Sequence, residues 1–104
     1  MDTQTLLGFI AVAEEKSIRA AAERLHLSPS TLARQILSLE EELGSVLFTY
    51  HPARALMTAA GAAFLPHARG IVLEFELARS AIRRIRKTTA TEDRISSRTH
   101  DSMA

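Results

Sequence analysis

Leu6, Phe9, Ile10 and Ala13 fall at i, i+3, i+4 and i+7, which lays one apolar stripe along a helix over 2–15. Asp2 stands at its start, where a carboxylate accepts from the free N–H groups of a first turn. The same spacing returns at Ile18, Ala21, Ala22 and Leu25 behind Ser17, and predicts a short second helix over about 18–25. Ala20, Ala21 and Ala22 make one side of it thin, so another helix can approach closely. His26-Leu27-Ser28 interrupts the pattern, and Ser28-Pro29 restarts it. Serine at the cap and proline at the first helical position form a matched start, because proline's missing N–H is not needed there. Leu32, Ile36, Leu39 and Leu43 follow at helical steps, so a third helix is expected over 29–43. Gly44 suits its left-handed end.

The period then changes. Val46-Leu47-Phe48-Thr49-Tyr50 is β-prone, His51-Pro52-Ala53-Arg54 is a turn, and Ala55-Leu56-Met57 returns as a second short strand, giving a hairpin over 46–57. Thr58 caps a fourth helix. Phe64, Ala68, Ile71, Phe75, Ala78, Ile82 and Ile85 alternate steps of four and three, a heptad seam. A helix over 59–88 spans ~45 Å and is too long for the preceding 58 residues to cover. Its seam needs a second copy, or else a larger protein, to bury it. Pro66 predicts a bend or a loose first turn. The polar stretch 89–104, with Ile95 isolated, reads as a disordered tail. The expected organisation is a domain over 1–58, a dimerisation helix over 59–88 and the tail.

Composition narrows the function. A chain of 104 residues holds one small domain and an appendage, not a catalytic barrel. Without Cys it has no disulfide framework and no thiolate metal site. Apolar runs such as 6–13 are too short for a membrane span, and the start MDTQT lacks a leader's basic segment. A cytoplasmic protein is expected. Five per cent aromatics and no Trp argue against a large aromatic-lined pocket. The net charge of +1 hides a gradient: residues 1–61 carry −2, and residues 62–91 carry +4. Composition alone gives no strong nucleic-acid signal.

The four histidines lie in separate segments, with no pair at i, i+4 beside a carboxylate, so no metal is expected. No nucleophile elbow, phosphate loop or acid–base constellation occurs, so neither an enzyme nor a cofactor is expected. Glu40-Glu41-Glu42 point in different directions and read as a solvated, partly structural run. Arg83, Arg84, Arg86 and Lys87 are either a solvated helix end that suits the macrodipole or a patch flanking DNA.

Arrangement says more than composition. Two helices joined by a turn of three residues, the second better patterned, have helix-turn-helix spacing over about 18–37. With a helix before and a hairpin after, the class is an α-dominated winged helix-turn-helix. The second helix of such a motif enters the major groove. With Leu32, Ile36 and Leu39 inward, Ser30, Ala33, Arg34 and Leu37 face outward, with Pro29 at the tip.

The stretch 17–61 resembles the DNA-binding domain of LysR-type transcriptional regulators. Ser17, Ala21, Ala22, Leu25, Ser28, Leu32, Ile36, Leu39, Glu40, Leu43, Gly44, Leu47, Phe48, Thr58, Ala60 and Gly61 match the family pattern at fixed spacing. The resemblance implies a bacterial, nucleoid-associated regulator whose linker helices pair antiparallel, setting two winged domains on an inverted repeat. Family recognition-helix positions fall on Pro29, Ser30, Thr31, Ala33 and Arg34. Arg34 suits a bidentate bond to guanine. Ala33 replaces the usual serine and retains an apolar touch at most. Ser17, Arg19 and Ser28 are candidate phosphate anchors. In the wing, the family's arginine after L-F-x is Tyr50, and its next arginine falls at Ala53, leaving Arg54 one place on. Tyr50 either stacks on sugar or base or covers the core. The family's effector domain lies beyond this sequence, so the chain reads as a fragment, a truncated product or a free-standing module with no small-molecule effector site. A rival reading is a protein-interaction module that pairs through helix 59–88 with a full-length regulator.

Overall fold

The computed structural model describes the chain through residue 100, with side chains to residue 89. Its elements are α1 (Thr3–Glu15), α2 (Ile18–Leu25), α3 (Pro29–Leu43), β1 (Phe48–His51), β2 (Arg54–Met57) and α4 (Ala59–His100). Each helix begins behind the cap its sequence announces. The backbone N–H of Thr5 donates to Asp2 at 2.8 Å, that of Ala20 to Ser17 at 3.0 Å, that of Thr31 to Ser28 at 3.1 Å and that of Gly61 to Thr58 at 3.1 Å. Such a cap contributes about 1 kcal/mol. The first three helices end on left-handed residues. Gly44 is the one its sequence flags, but Lys16 and His26 adopt φ near +57° and +58° without being glycine.

The hairpin is antiparallel, with Phe48 opposite Met57 and His51 opposite Arg54. It starts two residues later than the β-prone run suggests, because the backbone at 46 and 47 bonds elsewhere. The Leu47 N–H donates to the Glu40 carboxylate at 2.6 Å. The Val46 carbonyl accepts the Thr58 hydroxyl at 2.7 Å, and the Leu47 carbonyl accepts the Thr58 N–H at 2.9 Å. Glu40 thus anchors the entry to β1 from the C-terminal end of α3. On the other strand, the Ala55 N–H donates to the Lys16 carbonyl at 2.9 Å, which fastens the wing to the α1–α2 turn.

The core forms where α1, α2, α3 and the hairpin meet. Leu6, Phe9, Ile10 and Ala13 are buried as their spacing predicts, and so are Ala11 and Val12, because neighbours cover α1 on several sides. Ala21 and Ala22 of α2 and Leu32, Ile36 and Leu39 of α3 close on them. Phe9 is the hub: its ring centre lies 5.3 Å from that of Phe48 and 5.2 Å from that of Phe64. Aromatic pairs at this spacing add about 0.5–1.5 kcal/mol beyond the area they bury.

Three expectations change here. Ala68 is fully buried, so it serves this domain and is not free for a seam between copies, and Phe64 is partly buried against the same core. The first turns of α4 lie close enough to α1 and β1 to be drawn into the core. The compact unit accordingly runs Met1–Leu73, past the boundary expected at 58. Finally, α4 runs beyond 88 to His100. Residues 89–100 contain no glycine or proline, so nothing local stops the helix. Residues 101–104 of the expected tail lie outside the described residues.

The second unit begins at Glu74. Within it, Arg79 sits 5.9 Å from the Phe75 ring centre and 3.6 Å from the Glu76 carboxylate. Phe75, Ile82 and Ile85 are exposed, as is Ile71 in the first unit.

One carboxylate gathers two helices of the first unit onto α1. Glu14 meets Arg24 of α2 at 2.8 Å and Arg69 of α4 at 3.0 Å. The hydrogen bond from Arg24, and then that from Arg69, hold its pKa below the ordinary value of 4.5. A lowered folded-state pKa adds stability that is complete above the ordinary value and fades as pH falls through the lowered one. At this exposed site the effect is at most about 1 kcal/mol. Urea midpoints measured between pH 4.5 and more acid conditions should therefore fall less steeply for Glu14→Gln than for wild type. Gly61 gives a larger test, because a Cβ there would collide with the Leu47 carbonyl oxygen. Gly61→Ala should destabilise the domain by about 1–3 kcal/mol in thermal melts; an unchanged midpoint would refute the close approach of backbones at this junction.

Candidate nucleic-acid interface

α3 is held by one face. Leu32, Ile36 and Leu39 are at most 2% exposed, so helix geometry turns the opposite side to solvent. Pro29, Ser30, Thr31, Ala33, Arg34 and Leu37 are all exposed there or at the tip.

The start of α3 carries a hydroxyl cluster. Ser28 accepts from the Thr31 N–H, donates to the Thr31 hydroxyl at 2.8 Å and lies 3.3 Å from that of Ser30. Its first duty is therefore capping. Ser30 and Thr31 are the outer members, and the Thr31 hydroxyl, which accepts from Ser28, keeps its own proton to donate to a ligand. Ser17 also caps, accepting from Ala20, but its own proton remains available to a phosphate oxygen. The free N–H groups of α2's first turn lie beside it, and such a terminus favours anions.

One surface depression unites the motif and the wing. Ser17, Ile18 and Arg19 from the start of α2, Pro29 from the tip of α3, and Tyr50, His51, Ala53, Arg54 and Ala55 from the hairpin line it. Five residues singled out from sequence meet here: Ser17, Arg19, Pro29, Tyr50 and Arg54. Ser28, Ser30, Thr31, Ala33 and Arg34 are not among its lining residues. The guanidinium groups of Arg19, Arg34 and Arg54 form no ion pair among the described residues. Arg24 differs, because Glu14 and Glu15 hold it at 2.8 and 3.1 Å.

Tyr50 leans on the core and also stays open to solvent. Its ring centre lies 6.4 Å from that of buried Phe48, so one side leans on the core, while the residue stays 54% exposed. Burial of the hydroxyl, and then the charge of Glu40, push its pKa above the ordinary 10.0. At neutral pH it is an uncharged donor, which a phosphate does not repel.

Sequence reasoning passed over His51. Strand pairing places it opposite Arg54 in the same depression, and nothing in its local sequence marks it. Among the described residues there is no group of three or more His, Cys, Asp or Glu that could hold a metal. No described helix is long and apolar enough to cross a membrane.

Comparison with known proteins agrees with this geometry. Residues 3–62 match the family model of the bacterial regulatory helix-turn-helix protein, lysR family. Over 82 residues, 79% of the chain, it is 50% identical to the HTH-type transcriptional regulator ShiR of Corynebacterium glutamicum. It is 47% identical over 79 residues to the HTH-type transcriptional regulator ClcR of Pseudomonas putida, 76% of this chain. The chain spans only 28% and 27% of the lengths of these two relatives. Among solved structures, a CbnR_DBD–DNA complex superposes with a TM-score of 0.73 at 43% identity, covering 86% of this chain and 99% of that one. The BenM_DBD/catB site 1 DNA complex gives 0.77 at 34% identity, covering 82% and 96%. The capped helices, the outward side of α3 and the short wing are thus those of the LysR family's helix-turn-helix domain, and the chain belongs to that family.

Proposed function

We propose that the chain binds double-stranded DNA sequence-specifically, as a homodimer, in bacterial transcription regulation. α3 enters the major groove. Arg34 bonds a base edge, and Ser30, Thr31 and Ala33 flank it, with Pro29 at the tip. Ser17, Arg19 and Ser28 hold the backbone on one side, and Tyr50 and Arg54 reach it from the wing. The observation that carries this reading is the burial of Leu32, Ile36 and Leu39, which leaves Ser30, Ala33 and Arg34 open to solvent. The relatives crystallised with DNA support it.

The dimer uses what the domain leaves uncovered on α4. Ile71, Phe75, Ile82 and Ile85 are 44–61% exposed, and with Ala78 they keep heptad spacing. A second copy paired antiparallel covers them and sets two winged domains on an inverted repeat. The protein acts in the cytoplasm, at the nucleoid.

The same exposed residues favour a second reading, in which α4 pairs with a full-length regulator and modulates it. Titration of random and selected inverted-repeat duplexes at varied salt separates the two. The DNA reading predicts a preference for the selected duplex. It also predicts a log–log salt slope of about −2 per domain, if Arg19 and Arg54 each displace one counterion. No retardation of either duplex at low salt would favour the modulator.

Arg34→Ala should cost about 1–3 kcal/mol of specific binding with an unchanged melting temperature; undiminished affinity would mean that α3 does not read bases through it. Ile71→Asp combined with Phe75→Asp should give monomers in sedimentation, and a dimer that survives both charges would remove the seam.

A further inference from the structure

Leu37 has no assigned part in either the fold or the interface, yet it is 55% exposed on α3. Exposed leucines are common, and exposure alone says little. Its position says more. Ser30, Ala33, Arg34 and Leu37 stand at i, i+3, i+4 and i+7, a single face opposite the buried stripe. Helices that lie along a major groove read it with this spacing, as homeodomain helices do. Leu37 is the last of the four and the only large apolar one.

The chemistry of the groove leaves it one partner. A leucine offers neither donor nor acceptor. Against guanine, adenine or cytosine edges it would leave polar groups dry and unpaired, which is unfavourable. The apolar group in the major groove is the C5-methyl of thymine. We propose that Leu37 is a specificity-determining residue that packs its methyl groups on that thymine methyl. From Arg34 to Leu37 α3 advances ~4.5 Å, and bases on one strand are ~3.4 Å apart. The thymine therefore lies about one or two steps from the base Arg34 reads. A protein partner fits the site less well. Leu37 and Val46 are the only large apolar residues lining the depression beside it, with Gly44, Ser45, Glu40 and Glu41 as the rest, which is little apolar surface for a protein interface. A stable protein interface needs roughly 800 Å² from each side.

This inference rests on the proposed DNA binding, and the test separates the two. Duplexes selected from a random library by the wild-type chain are resynthesised with deoxyuridine replacing each thymine in turn, which removes only the methyl group. Wild type and Leu37→Ala are then titrated by fluorescence anisotropy. At one thymine per half-site, the replacement should weaken wild type roughly fourfold, the weight of one methyl group. It should leave Leu37→Ala unaffected, and Leu37→Met should retain the penalty. Equal responses of wild type and Leu37→Ala at every thymine would overturn the assignment while leaving DNA binding intact. Failure of wild type to select any sequence would overturn the DNA reading, and this one with it.

Discussion

Burial of Leu32, Ile36 and Leu39 against Phe9 and its neighbours is the constraint on which the candidate interface depends. A helix has only so much circumference. Once one stripe is fixed in the core, the direction of every other side chain on α3 is decided, and Ser30, Ala33, Arg34 and Leu37 have only solvent or a ligand to face. The interface therefore needs no strain of its own. Its geometry follows from a hydrophobic core on the far side of the same helix.

The wing is held differently, by backbone and carboxylate. Glu40 fixes the start of β1, the Lys16 carbonyl holds β2, and Thr58 joins the end of the hairpin to its beginning. Glu14 and Glu15 occupy Arg24, and Glu14 also takes Arg69, whereas Arg19, Arg34 and Arg54 form no ion pair among the described residues. On the proposed reading, so few free cations neutralise few phosphates, and base chemistry and shape carry more of the binding.

Much of this was legible in the sequence, because the signals were local. Asp2, Ser17, Ser28 and Thr58 mark helix starts, and the spacing of Leu32, Ile36 and Leu39 orients α3 correctly. What sequence could not show depends on tertiary approach. The spacing of Phe64 and Ala68 is that of a seam, and periodicity cannot tell a seam between copies from a stripe buried at home. The run at 40–42 reads as partly structural, but only the approach of β1 shows that Glu40 is the structural member. His51 joined the candidate interface only through pairing with Arg54. Lys16 and His26 take left-handed backbone where glycine would be the obvious choice, so composition gave no warning of the turns they make.

The insertion of Phe64 beside Phe9 has a mechanical side. Phe9 also touches Phe48, so a single ring of α1 links the wing to the first turns of α4. There is no slack joint where the hairpin hands over to that helix, because the Thr58 N–H donates to the Leu47 carbonyl while the Thr58 hydroxyl accepts from the Gly61 N–H. A torque on α4 near Ile71 would thus be felt at β1 through stiff aromatic contact rather than lost in a loop.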